Sequence, residues 1–512
     1  MVKKESHSSD HLTGDSHRRI MTTKLATAIA AFFLLASIAV IIAISTVQVK
    51  QKTYISPGLK YGIVLDAGSS RTTVYLYQWP AEKENNTGIV TQTTKCQVKG
   101  PGISEMNLEA WNSLKSCMED MKSAVPPHQH KSTAIFLGAT AGMRLLQQKN
   151  KGESNNVLTS MQDYLRSLPF DFHNASIISG QEEGLYGWIT VNYLMGNFLE
   201  KNIWNAWVHP HGAQTVGSLD LGGASTQIAF AAPSDATGED LIKISLYGYE
   251  YNVYTHSFLC YGKNEAEKKV LAELVKTSSG RLPINHPCYP LGYTFIISGE
   301  DVFGSECTKN VTPVWYNTGK TFSFIGQSDP AKCKSLVMKI FDLRTCNTTG
   351  KCSFNGIYQP PVTGDFMAYA GFYYTAGALD LKGSNSLEKF NSTMWSFCSM
   401  DWKTLKKNYN ITDKHLKSYC YSANYVHTIL ADGYKFNADN WEKLDFQKEV
   451  NNTSIAWSLG YMLAQSNMIP AEAKLVKLPI SNSVFVVLLF LFSALTIITL
   501  TFLIITLVRI FY

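Results

Sequence analysis

The hydropathy pattern is dominated by two unbroken apolar runs, one near each end of the chain. They cover residues 25–49, between Lys24 and Lys50, and residues 484–508, ahead of Arg509. Each is longer than the roughly 20 apolar residues that a helix needs to cross a bilayer, so both are predicted transmembrane helices and a lipid bilayer is an expected partner. A cleaved signal peptide competes with the first reading, but the apolar core is too long for one. The rival for the second is a lipid-anchor signal, with small residues at Ser481-Asn482-Ser483 before an apolar end. Lys3, Lys4, Arg18, Arg19 and Lys24 precede the first run, which predicts a cytoplasmic tail over 1–24. A second span returns 509–512 to the cytoplasm, and residues 51–482 then face outward. Tethering at both ends is expected to influence how freely the outward segment moves.

Between the runs the pattern changes to short apolar strands alternating with helical stretches. Strands are predicted at 61–65 and 73–79, around the turn Asp66-Ala67-Gly68-Ser69-Ser70-Arg71. A second hairpin is predicted over 216–230, around Asp220-Leu221-Gly222-Gly223-Ala224-Ser225-Thr226. Both copies read apolar strand, Asp-x-Gly, small and hydroxylic residues, then a resumed apolar run. A strand at 134–137 leads into Gly138-Ala139-Thr140-Ala141-Gly142-Met143-Arg144. Another at 176–179 leads into Gly180-Gln181-Glu182-Glu183-Gly184 and a helix through 186–194. This β-α order with a repeated turn predicts an α/β pair of similar lobes. The first lobe is placed at 57–179 plus 446–479, and the second at 180–445. The less regular stretch 247–420 reads as insertions in the second lobe. The aromatic-rich stretch 366–374 is a helix candidate, and Asn452-Thr453-Ser454 is placed as the cap of a helix through 457–463.

Composition narrows the class. Of the 512 residues 17% are charged, the formal net charge is only +6, and Lys and Arg are dispersed, so nucleic acid is not an expected partner. All ten cysteines lie in 51–482, their number is even, and no Cys-x-x-Cys pair occurs, which favours disulfides in an oxidising compartment over zinc. Sequons at Asn85, Asn174, Asn310, Asn347, Asn391, Asn410, Asn451 and Asn452 agree with an outward surface.

The repeated turn suits a phosphate. Gly68, Gly222, Gly223 and Ala224 allow close backbone approach, while Ser69, Ser70 and Ser225 add hydroxyl donors beside the amides. Asp66 and Asp220 repel an anion, so they imply a cation or metal-bound water between carboxylate and phosphate. Their alternative role is to stabilise a turn. Glu183 is the candidate general base for an attacking water, whereas Glu182 fits a helix N-terminal residue. Arg144 suits a phosphate clamp or a structural ion pair equally. Other signals fail. Gly319-Lys320-Thr321 lacks the first glycine of a Walker loop, where Val314 stands, and the pairs His128/His130 and His209/His211 read as loop residues.

Five segments together resemble the signatures of the ecto-apyrase family, the nucleoside triphosphate diphosphohydrolases, and most closely its cell-surface type 3 branch. In family order they are Asp66-Ala67-Gly68-Ser69-Ser70, Gly138 to Arg144, Gly180-Gln181-Glu182-Glu183-Gly184, Asp220 to Gln227, and Ala456-Trp457-Ser458-Leu459-Gly460-Tyr461. The resemblance spans essentially the whole outward segment. It implies two actin-like, ribonuclease-H-like lobes with the site in the cleft between them, at the plasma membrane. It further implies hydrolysis of extracellular nucleoside tri- and diphosphates (ATP, ADP, UTP, UDP) to monophosphates and regulation of purinergic signalling; a homo-oligomer is a partner that the sequence leaves open. Asp66 and Asp220 would hold Ca2+ or Mg2+ through water, with Glu183 as base and Ser225 and Gln227 holding the attacking water. Thr140 would contact the metal's waters or the terminal phosphate. Tyr374 would stack on the nucleobase beside Gly371, with Lys263 over the other face, and Trp457 would pack beneath the first lobe. The implied disulfides are Cys96–Cys117, Cys260–Cys307, Cys288–Cys333, Cys346–Cys352 and Cys398–Cys420; spacing alone suggests only the near-neighbour pairs. The alternatives are an actin-fold phosphotransferase and a non-catalytic nucleotide receptor.

Overall fold

The computed structural model describes residues 10–511 apart from 52, 56, 205, 213, 235, 318, 347–349 and 474. Two compact units emerge, one from the chain's two ends and one spanning Gly58–Ala471.

In the terminal unit a helix over Asp10–Lys50 packs against a helix over Asn482–Phe511. Within them Met21–Lys50 and Asn482–Phe511 are each 30 residues long and apolar enough to cross a membrane. The first helix thus begins well before the apolar run, absorbing Arg18, Arg19 and Lys24. Two of its polar side chains have partners on the other segment. Ser37 Oγ lies 2.7 Å from Thr496 Oγ1. The Gln48 amide donates to the Ile480 carbonyl at 3.0 Å and accepts from its N–H at 3.2 Å. A hydrocarbon medium offers no water, so such pairing keeps polar groups tolerable there.

The larger unit holds two sheets. The first contains β1 (Leu59–Ala67), β2 (Thr72–Pro80), β3 (Thr91–Gln97), β4 (Ala134–Ala139) and β5 (Asp171–Ile177), ordered β3-β2-β1-β4-β5. β1 to β3 are antiparallel; β1, β4 and β5 are parallel. Ile63, Leu65 and Ala67 of β1 face a core closed by α1 (Leu108–Ala124), α2 (Ala141–Lys149) and α3 (Lys151–Arg166). Val64 faces the opposite side, against α4 (Gly180–Leu194).

The second sheet contains β6 (Gly217–Leu221), β7 (Ser225–Ala231), β8 (Leu241–Leu246), β9 (Tyr249–Leu259), β10 (Phe366–Ala370) and β11 (Leu444–Phe446), ordered β8-β9-β7-β6-β10-β11. Apart from the extra edge strand β8, this repeats the first sheet, with β6, β10 and β11 parallel. Between β9 and β10 lies α5 (Lys263–Ser278), and α6 (Gly371–Ala378) follows β10 directly. The chain then returns as α7 (Trp457–Ser466). Helices α4 and α7 cross in one core layer that draws Tyr75 and Tyr77 from the first sheet and Ala229 and Val253 from the second. The crossing is close: a Cβ on Gly460 would stand 2.0 Å from the Tyr186 carbonyl oxygen.

Two expectations need correction. Residues 366–370 form a buried parallel strand, not a helix, and helix starts only at Gly371. A short apolar run buried on both faces has no diagnostic period, which is why it misleads. The break falls at Ala370, whose φ of 52° is rarely adopted by a residue with a side chain. Nor does Asn452-Thr453-Ser454 cap α7. Thr453–Ser454 pairs with Glu449–Val450 in a tight hairpin turning at Asn451 and Asn452, both with positive φ, and the cap position is Ala456.

All five disulfides form with the pairing given by the resemblance. Four of them staple the second lobe. Of the sequons, Asn85, Asn174, Asn310, Asn391, Asn410, Asn451 and Asn452 are exposed, and Asn347 lies outside the described residues. The Asn85 amide donates to the Tyr247 carbonyl at 3.2 Å.

Candidate active site

Each phosphate-loop turn follows the central strand of its sheet. Asp66 sits opposite Thr73 and beside Gly138; Asp220 sits opposite Gln227 and beside Tyr369. The two aspartates therefore occupy equivalent places in the two lobes. Their turns face each other across a cleft: a Cβ on Gly223 would lie 2.8 Å from Ser69 Oγ. Inside each turn the glycine is also needed, since a Cβ on Gly68 would reach Arg71 O at 3.0 Å and one on Gly222 would reach Ser225 O at 3.1 Å.

The cleft encloses about 540 Å3. Asp66, Gly68, Ser69, Ser70, Thr140, Glu183, Asp220, Gly222, Gly223 and Ser225 line one part of it, and Lys263, Gly371 and Tyr374 another. Gln227 and Ala224 are not on the wall, and Gln227 acts on it through Glu183 and Ser225.

Glu183 is buried at 8% exposure near the start of α4. Ser179 and Glu182 form a capping box there, so Glu182 is spent on the helix's own amides. Glu183 Oε2 receives Arg144 Nη2 at 2.6 Å and Gln227 Nε2 at 2.9 Å. Both donors also reach Ser225 Oγ, at 3.1 and 2.8 Å. Arg144 is therefore an ion-pair partner of Glu183, and it does not line the cavity.

Three carboxyl groups meet here, and their protonation reflects it. Burial pushes Asp66 up to about 7; the Trp457 hydrogen bond opposes the shift and the Glu183 charge adds to it. Burial likewise raises Asp220 well above the usual range, reinforced by Glu183 and Asp66. Glu183 is raised by burial and pulled back by Arg144. Like charges crowded at low dielectric cannot all ionise cheaply, and a cation between them removes that conflict. No group of three or more His, Cys, Asp or Glu among the described residues forms a direct metal-ligand set. Two aspartates alone, opening onto a cleft with room for water, fit a cation that keeps most of its water shell.

Several wall residues escape the sequence reading. Arg71, Thr73, Tyr75, Asn264, His415, Tyr419 and Trp457 all line the cleft. Trp457 does pack beneath the first sheet, where a Cβ on Gly138 would strike its ring at 2.3 Å, but its indole Nε1 also donates to Asp66 Oδ1 at 2.9 Å. Tyr374 is 48% exposed, as a ring awaiting a stacking partner must be. Lys263 Nζ lies 5.4 Å from the centre of the Tyr419 ring. Gly371 serves backbone contact rather than open space, since a Cβ there would stand 2.7 Å from the Leu221 carbonyl oxygen. The failed signals are structural: His130 Nε2 bonds the carbonyls of Lys122 and Val125, and His209 Nδ1 that of Phe198.

A duplicated sheet with an Asp-x-Gly turn in each copy, opposed across a cleft, is the actin-like fold. The chain belongs to the GDA1/CD39 (nucleoside phosphatase) family, whose sequence model matches residues 54–478. It is 54% identical over 483 residues to "Ectonucleoside triphosphate diphosphohydrolase 3" of Homo sapiens, covering 93% of this chain and 91% of that protein. The Mus musculus protein of the same name is 52% identical over 476 residues, covering 92% and 90%. Among solved structures, a nucleoside triphosphate hydrolase from Neospora caninum matches with a TM-score of 0.55 at 14% identity, over 81% of this chain and 93% of that one. That likeness shows the fold.

Proposed function

We infer that the chain is an apyrase anchored in the plasma membrane by two spans, hydrolysing extracellular nucleoside 5'-triphosphates and 5'-diphosphates to monophosphates and phosphate. The observation that carries this is the convergence of both aspartate turns and Glu183 on one cleft. The polyphosphate lies between the turns, held by the amides of Gly68, Gly222 and Gly223 and the hydroxyls of Ser69, Ser70 and Ser225, with Thr140 at its end. Asp66 and Asp220 hold Ca2+ or Mg2+ through water, and the cation supplies neutralisation of charge on the transferring phosphoryl group. Glu183 takes the proton of the attacking water, which Ser225 and Gln227 orient: Gln227 bonds both Glu183 and Ser225, so the three side chains are held together. Attack is in line, directly on the terminal phosphorus, with no phosphoenzyme. Arg144 opposes the upward push that burial gives the Glu183 carboxyl. At the other end of the cleft Tyr374 stacks on the base, and Lys263 approaches from the side of Tyr419.

Intact cells expressing the chain, given external ATP or ADP, test this directly. Phosphate should appear outside with Ca2+ or Mg2+ present and stop with a chelator. Release unaffected by the chelator, or release only after permeabilisation, contradicts the reading.

A further inference from the structure

Behind the first turn of α4 lies a polar cluster that the chemistry above does not use: Gln181, Asp240 and His256. Glu183 sits so near the start of α4 that its carboxylate goes wherever the first turn is put. The capping box satisfies the helix but ties it to nothing else. What seats it is β9. A Cβ on Gly180 would stand 2.3 Å from Ser257 Cβ, and one on Gly184 2.4 Å from Thr255 Oγ1.

A closed ring of hydrogen bonds completes the seat. Gln181 Nε2 donates to Asp240 Oδ1 at 2.8 Å and to the Glu239 carbonyl at 3.2 Å. Asp240 Oδ2 is paired with His256 Nδ1 at 2.9 Å, both side chains being about a fifth exposed (21% and 20%). The Asp240 carbonyl accepts from Thr255 N at 2.8 Å, and Thr255 Oγ1 returns to the Gln181 carbonyl at 3.0 Å. Partial burial pushes the Asp240 carboxyl up, but its bonds with His256 and Gln181 hold it below the usual range. Asp240 therefore stays ionised and keeps its grip. The same strand reaches Glu183 from the front, because Ser257 Oγ bonds Gln227 Nε2 at 2.8 Å.

We propose that Asp240, fixed by His256, is a positioning residue for the reaction: it clamps Gln181 and so sets where the Glu183 carboxylate meets the attacking water. The proposal rests on Glu183 being the base. Neither Asp240 nor His256 lines the cleft, so substrate contacts do not depend on them.

The test uses the purified full-length chain in detergent, with ATP and a divalent cation. Asp240→Ala and Gln181→Ala should each lower kcat roughly 10- to 100-fold, the scale of a small misplacement at the reacting centre, with KM for ATP little changed. Because both act through one ring, the double variant should lose no more than about twofold beyond the worse single variant. Asp240→Asn keeps an oxygen for Gln181 and should recover most of the turnover. Gln181→Ala carries the test if Asp240→Ala fails to fold. Unchanged kcat per folded molecule, single losses that multiply in the double variant, or a rise in KM in place of a fall in kcat overturns the proposal. Glu183→Gln is measured alongside. If it keeps turnover, the assignment of the base fails; if it is inactive while Asp240→Ala is normal, only the positioning role fails.

Discussion

The two lobes share a strand order and an Asp-x-Gly turn, yet they treat the aspartate differently. Asp66 is anchored: the Trp457 indole donates to it from α7, and its carboxyl rises only to about 7. Asp220 receives no side-chain hydrogen bond among the described residues, and burial and the Glu183 and Asp66 charges push it further. Duplication has preserved the scaffold and divided the work. One lobe offers a carboxylate held by a hydrogen bond from α7, and the other offers one held by no side chain among the described residues. The surroundings differ in the same sense. The first lobe is closed by three helices over a single disulfide, whereas the second carries the insertions and the other four disulfides.

The comparison breaks most visibly at the aspartates themselves. Asp66→Asn and Asp220→Asn should each cost about 100-fold or more in kcat, the scale of losing one essential charge-stabilising group. Metal titrations of phosphate release should shift to higher concentration in both. If one of the two stays near normal, a single lobe holds the cation. Trp457→Phe, which keeps the ring against Gly138 but removes the donor, should cost about tenfold, the value of a hydrogen bond to a charged group. It should leave Asp220-dependent metal binding in place. Tyr374→Ala should raise KM by roughly fivefold with little change in kcat, as loss of one stacking platform does. Steady-state kinetics on purified protein reads both.

A stability measurement sharpens the difference in the opposite direction. Both aspartates have folded-state pKa values above the unfolded value of about 3.9, so their ionised forms cost stability without metal. The cost is absent below the unfolded value and complete above the folded one. In chelator, Asp220→Asn should therefore melt higher than the parent chain, and the gain should be larger at pH 8 than at pH 5. Asp66→Asn should also gain, and its bond from Trp457 should survive because the amide oxygen still accepts from the indole. Added Ca2+ or Mg2+ should reverse the order.

How far these features can be read from sequence depends on how local they are. The Asp66 and Asp220 turns are legible because turn chemistry lies within ten residues, and the capping role of Glu182 because Ser179 stands three residues before it. The Trp457 bond to Asp66 joins residues 391 apart, and no local pattern announces it. His415 and Tyr419 reach the cleft from two short helices, Asp413–Leu416 and Tyr419–His427, in a disulfide-held stretch whose path only the folded chain reveals. Strand β10 misleads for another reason. Phe366 and Ala368 enter the outer core of the second lobe while Met367 and Tyr369 pack with Val191 and Ile455, so no polar face marks the period. Gly371 belongs with it: its backbone contact with Leu221 exists only because β10 lies parallel to β6.

The most direct test of two aspartates and one base sharing a cleft is Glu183→Gln, assayed for nucleotide binding and phosphate release on the same preparation with Ca2+ present. The amide keeps the shape and an oxygen for Arg144 and Gln227 but cannot take a proton. Binding should survive within a few-fold while turnover falls about 100- to 10,000-fold, the usual contribution of a general base. A folded Glu183→Gln protein releasing phosphate at the parent rate would contradict the assignment.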